Sequence, residues 1–156
     1  MKGINEYLIP YTISQVVSII ILIIAWKKTR WARVLFALLF FWAAATNMYI
    51  GISRPGAYLS YADMAITPYR DFINGWFSQN NHILIPLIAI GQFFIAIGMV
   101  LKGLWMKLAC IGSIIFLLSI APLLVGAAFP FSITVSIAAW LIYRNDDKNY
   151  IWKKMK

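Results

Sequence analysis

The stretch Ile90–Pro122 reads IGQFFIAIGMVLKGLWMKLACIGSIIFLLSIAP, and its two charges, Lys102 and Lys107, close the ends of one short turn, KGLWMK. The flanking apolar runs are near the ~20 residues that carry a helix across ~30 Å of hydrocarbon. This predicts a hairpin of two spans, Ile83–Leu101 and Leu108–Val125, with Trp105 as an interfacial anchor. Further upstream the pattern repeats, with KKTRWAR joining spans at Leu8–Trp26 and Val34–Ile52 and placing Trp26 and Trp31 at the interface. A fifth apolar run covers Ala127–Tyr143.

Composition agrees. The chain is 62% hydrophobic and 12% charged, with a mean hydropathy of +0.78, whereas soluble domains carry about 25% charged residues. No run shows the ten-residue alternation of a transmembrane barrel. The expected fold class is an all-α membrane protein, with residues 1–156 as a single transmembrane domain: a four-helix transmembrane bundle plus an additional N-terminal transmembrane helix. The basic cluster follows the first apolar run rather than preceding it, so that run reads as a retained anchor, not a signal peptide.

The net charge of +9 is distributed by topology. Eleven basic residues, Lys27, Lys28, Arg30, Arg33, Lys102, Lys107, Arg144, Lys148, Lys153, Lys154 and Lys156, fall on one side of the five spans. Lys2, Arg54 and Arg70 fall on the other, with Glu6, Asp63 and Asp71. By the positive-inside rule the N-terminus is outside, and residues 144–156 form a basic cytoplasmic tail, as for a protein of the bacterial inner membrane. Anionic headgroups account for this charge, so no nucleic-acid partner is expected.

One connection, residues 53–81, is long, and it has internal order. In TPYRDFINGWF, Thr67 is placed as an N-cap and Pro68 at the first helical position. Tyr69, Phe72, Ile73, Trp76 and Phe77 then form one apolar stripe at helical spacing. GAYLSYADMAI sets Tyr58, Tyr61, Ala62 and Ala65 on one face of a second short helix. The outer loop is thus expected to hold short amphipathic helices that roof the bundle. Arg70 and Asp71 lie off the stripe, on its wet face; the alternative is that Arg54, Asp63, Arg70 and Asp71 pair across the two roof helices.

Polar residues at depth are few. Gln92 lies mid-span and Asn47 nearer the outer end of its span, as interhelical hydrogen-bonding partners or as ligand-facing amides. No acidic or basic residue sits centrally in a span, which argues against a proton relay or voltage sensor. Ala109 with Ser113 and Ser132 with Ser136 allow close helix approach. From Leu108 to Tyr143 there are 36 residues without a charge, about 54 Å of helix where two crossings need ~60 Å. The turn near Gly126 must therefore lie within the leaflet or be buried, and the backbone groups freed by Pro122 and Pro130 need internal partners; alternatively, Pro122 opens a cavity. One cysteine, Cys110, and one histidine, His82, rule out a disulfide framework or a Cys/His zinc site made by this chain alone.

The rhythm of Ile90–Pro122, with Arg33 opening RVLFALLFFWAAATN, resembles the DoxX-like membrane proteins over about Trp31 to Tyr143. That resemblance implies a small helical bundle acting as a membrane subunit in quinone-linked sulfur oxidation or in oxidative-stress complexes. The family often has Glu where this chain has Gln92, which removes carboxylate-dependent chemistry from that position. The expected function is a non-catalytic accessory or scaffold protein with a membrane protein partner. No cofactor is evident, but a lipid or quinone could be held under a roof lined by Tyr58, Tyr61, Tyr69, Phe72 and Trp76, above Asn47 and Gln92. The alternatives are a small transporter or channel for a neutral solute and the membrane subunit of a redox enzyme.

Overall fold

The structure is a computed structural model that describes residues 2–153, with side chains from Leu8 onward. The side chains of Lys2 and Glu6, and Lys154 and Lys156, counted in the charge pattern, lie outside the described residues. Among these residues the chain is helical and contains no strand. Helix α1 spans Lys2–Lys27 and α2 spans Thr29–Ser53, with Lys28 alone between them. A 3-10 segment, Pro55–Asp63, leads to α3, Thr67–Phe72, and a π-helical turn, Ile73–Phe77, runs directly into α4, Ser78–Val100. Helix α5, Leu104–Ile120, ends in a second 3-10 segment, Ala121–Ala127, before α6, Phe131–Asn145.

Four helical stretches are long and apolar enough to cross a membrane: Leu8–Lys27, Thr29–Ser53, Thr67–Val100 and Leu104–Ala127. Helix α6 has 15 residues, about 22 Å, and falls short of that length. The expected fifth run loses its first turn because Ala128 is left-handed (φ 51°) and Pro130 caps the helix instead of entering it. The long connection is also shorter than expected. The roof helix runs through the π turn into α4 at Ser78, so residues 78–81 are helix and not loop.

Helices α1, α2, α4, α5 and α6 pack as a closed ring in the order α1–α2–α4–α5–α6–α1. Inside it, Phe36, Phe40, Met99, Met106, Leu117, Val135 and Ile142 are buried in one cluster. Small residues set the close approaches. A Cβ on Gly98 would lie 2.7 Å from the Cβ of Ala109, and one on Gly51 would lie 2.8 Å from Cδ of Pro86. Ser113, Ser132 and Ser136 are buried on the α5–α6 side. The outside of the ring is apolar: Ile9, Trp42, Phe94 and Ile115 are 72%, 67%, 66% and 64% exposed. Water-soluble monomers rarely expose apolar surface so extensively, whereas hydrocarbon solvates it at no cost.

Candidate functional site

At the roofed end, three side chains form a hydrogen-bonded chain. Tyr58 donates its hydroxyl to Oδ1 of Asn47, and Nδ2 of Asn47 donates to Oε1 of Gln92 at 2.8 Å. Asn47 comes from α2, Gln92 from α4 and Tyr58 from the 3-10 segment, so the chain links roof to bundle through the α2–α4 seam that Gly51 and Pro86 also close. Gln92 is buried. An amide there needs a partner, because an unpaired polar group in an apolar interior costs about 1–3 kcal/mol. Burial pushes the Tyr58 hydroxyl up to about 12, and the neighbouring Tyr61, its ring 5.2 Å away, adds to the shift.

The roof is a packed layer. Ala62, Ile73, Phe77 and Ile85 are buried together, with Tyr58, Leu59, Tyr61, Ala65, Leu84 and Leu123 against them. The residues predicted to share a face, Tyr58, Tyr61, Ala62 and Ala65, do pack in this one cluster, the first three from the 3-10 segment Pro55–Asp63 and Ala65 from just beyond its end. The second stripe divides. Ile73 and Phe77 are buried, but Phe72 and Trp76 are exposed and stacked on each other, ring centroids 5.8 Å apart. Phe72 and Trp76 form one flank of the stripe and Ile73 and Phe77 the other, and only the second flank meets the roof cluster; between them Gly75, in the π turn, leaves helical geometry (φ −93°, ψ −106°). Thr67 is not the cap: Ile66, extended at ψ 154°, holds that position without a side-chain bond.

Two hydrogen bonds tie the roof to the end of α5 and to the 3-10 segment that follows it. Tyr69 donates its hydroxyl to the Ser119 carbonyl at 2.7 Å, and the Ile66 N–H donates to the Pro122 carbonyl at 3.1 Å. Tyr61 lies under Gly126, where a Cβ would come within 3.1 Å of its ring. Carbonyls freed at the following turn are met from α1: Tyr11 donates to Phe129 O and Nε2 of Gln15 to Ala128 O, both at 2.7 Å. Pro122 thus anchors the roof. Of the predicted ion pairs, Arg70 Nε and Asp71 Oδ1 approach to 3.8 Å as exposed neighbours, and Arg54 and Asp63 are exposed and pair with no charge among the described residues. No pair crosses the roof among the described residues.

A second polar centre, for which the sequence pattern gave no expectation, closes the opposite end. Arg33 is fully buried at the start of α2. Its Nε donates to Met99 O at 2.8 Å, Nη1 to Asp146 Oδ1 at 2.8 Å and Asn149 O at 2.7 Å, and Nη2 to Leu101 O. Asp146 Oδ1 also accepts the Lys148 N–H at 2.8 Å, while its buried Oδ2 has no partner among the described residues. Around it residues 146–153 fold back on the bundle. Arg30 donates to Asp147 at 2.7 Å and to the Lys153 carbonyl, Gly103 N–H donates to Lys148 O at 2.8 Å, and Lys102 lies over the Tyr150 ring. Two signals in the sequence mark this centre. Arg33 shares a helical face with Phe36, Phe40 and Ala44, and Asp146 and Asp147 are the two acids among many bases at that end.

Neither centre assembles a nucleophile beside a base. Cys110 is buried with its thiol toward Met106 Sδ, and His82 is exposed on α4. Among the described residues no cluster of three His, Cys, Asp or Glu side chains could hold a metal ion. Comparison with models of known protein families, with curated proteins and with solved structures finds no match.

Proposed function

We propose that the protein is a non-catalytic accessory or scaffold protein of the bacterial inner membrane, with the Arg33 end at the cytoplasm and the aromatic roof outside. One observation carries this reading: both ends of the helix ring are closed, by Arg33 and Asp146 at one and by Tyr58, Asn47 and the packed roof at the other. The space between holds side chains such as Phe36, Phe40 and Met99. A channel for a neutral solute would use the Asn47 and Gln92 amides, but these are spent on each other and on Tyr58. The bias of basic residues supports the orientation, and the DoxX-like resemblance of Ile90–Pro122 points to a subunit role.

Ala62, Ile73, Phe77 and Ile85 pack together within the roof, and a lipid or quinone held there would have to displace them. Partner contact falls instead to the outer faces, where Phe72 and Trp76 stand exposed on the roof. The test is reconstitution in vesicles with light-scattering measurement of glycerol and urea entry, beside cross-linking in the native membrane. The expected result is permeation equal to protein-free vesicles and a cross-linked protein partner that is lost when Trp76→Ala removes the roof contact. Solute entry that Gln92→Leu abolishes would replace this reading with the transporter.

A further inference from the structure

Two hollows lie between α1 and α2 at the basic end. One, about 450 Å³, is lined by Ile23, Ile24, Lys27, Lys28, Trp31 and Leu35. The other, about 310 Å³, is lined by Val17, Ile20, Ile21, Leu35 and Leu39, and the shared Leu35 makes them one groove. From Val17 to Lys28 the groove follows α1 for about 16 Å, close to the ~15 Å half-thickness of the hydrocarbon core. Its walls are aliphatic, and its mouth alone is charged.

The charge at that mouth is unbalanced. Asp146 and Asp147 are taken by Arg33 and Arg30. Lys27 and Lys28 have no acidic partner among the described residues. Beside them α2 starts without a side-chain cap, so the positive end of its dipole faces the same place. Trp31, 62% exposed, stands at the rim, where indole rings favour the headgroup layer.

We infer that the groove between α1 and α2 holds one anionic phospholipid, its phosphate on Lys27 and Lys28 and an acyl chain along Ile24, Leu35, Ile21 and Leu39. A free anion would leave the aliphatic hollow empty, and a zwitterionic lipid would set its own ammonium against the two lysines. The inference rests on the membrane reading above, but not on the scaffold role, so solute permeation and lipid binding fail independently.

The test is native mass spectrometry of the detergent-purified protein titrated with phosphatidylglycerol, with phosphatidylcholine of the same chains and with glycerol 3-phosphate as the headgroup without chains. One phosphatidylglycerol per chain is expected, with phosphatidylcholine at least about tenfold weaker and no competition from glycerol 3-phosphate. The Lys27→Gln, Lys28→Gln double variant should weaken retention by roughly thirtyfold, and Leu35→Trp, which fills the groove and leaves the charges, should also lose the lipid. Lys102→Gln, on the same end but over Tyr150, should retain it. Circular dichroism checks that Leu35→Trp folds; the lysine pair is solvent-facing and tests the site if it does not. Equal retention of the two lipids, parent-like binding by the lysine variant, or displacement by glycerol 3-phosphate would overturn the inference.

Discussion

Arg33 and Asp146, 113 residues apart, meet at 2.8 Å with both side chains closed to solvent. Removing one partner strands the other charge, which costs about 3–5 kcal/mol in buried pairs. Asp146→Ala is therefore expected to unfold at much lower denaturant than the parent, and Arg33→Met combined with Asp146→Leu to recover part of the loss. Parent-like unfolding of Asp146→Ala in detergent would show that solvent reaches Arg33.

Tyr58 gives the roof a pH dependence at the alkaline end. Its folded value, about 12, stands above the ordinary 10.0, so the neutral form is the one the fold stabilises. That contribution is complete below about pH 10 and fades as pH rises toward about 12. Tyr58→Phe should cost about 1 kcal/mol at neutral pH through the lost bond to Asn47, and should flatten the alkaline decline in stability. Ultraviolet titration of tyrosinate in parent and variant measures the shifted group directly; an ordinary value for Tyr58 would contradict its burial.

Two glycines should respond oppositely to the same change. Gly98→Ala places a methyl 2.7 Å from Ala109 Cβ and 3.0 Å from the Trp105 carbonyl, an overpacking expected to cost about 1–3 kcal/mol. Gly91, about two turns earlier on α4, has open space within 4 Å of where its methyl would stand, and Gly91→Ala should be neutral or gain up to about 1 kcal/mol. Thermal unfolding of the pair decides it, and equal shifts would mean that α4 and α5 are not in close contact.

At acid pH the segment 146–153 should loosen first. Slight burial of Asp147 works against its ionised form, but bonds from the Asn149 backbone and side chain and the charge of Arg30 outweigh it and hold the carboxyl below the usual range. The tie to Arg30 is thus present above the ordinary carboxylate value and lost as pH falls through the lowered one. Amide exchange at Asn149 should quicken there, and Asp147→Asn should show the faster exchange already at neutral pH. The Asp147 side chain is 46% exposed, so global stability should move by less than about 1 kcal/mol.

What the sequence disclosed follows from what is local. Apolar runs and the Pro122 break are properties of neighbouring residues, and the helices fall close to the predicted spans. Asn47 and Gln92 were legible as polar residues at depth; their direct bond joins positions 45 apart and depends on helix rotation. The roof stripe divides because only its Ile73 and Phe77 flank meets the cluster with Ala62 and Ile85, while Phe72 and Trp76 face out, a choice that tertiary packing makes and periodicity does not carry. Arg33 was hidden for a different reason. Its charge fitted the positive-inside count so well that the signal it carries, a place on the apolar face of Phe36 and Phe40, was masked.

The distance along the chain between Arg33 and its partners also sets an order of events in synthesis. Arg33 leaves the ribosome 113 residues before Asp146, on the order of ten seconds earlier at ~5–20 residues per second. Through that interval the guanidinium has neither Asp146 nor the Asn149 carbonyl, and the Met99 and Leu101 carbonyls arrive only part-way. A nascent chain stalled before residue 146 should leave Arg33 open to a water-soluble arginine reagent that the completed chain excludes. The bundle is thereby expected to zip shut at its basic end only once the segment after α6 has emerged, and the buried pair doubles as a mark that translation has passed α6.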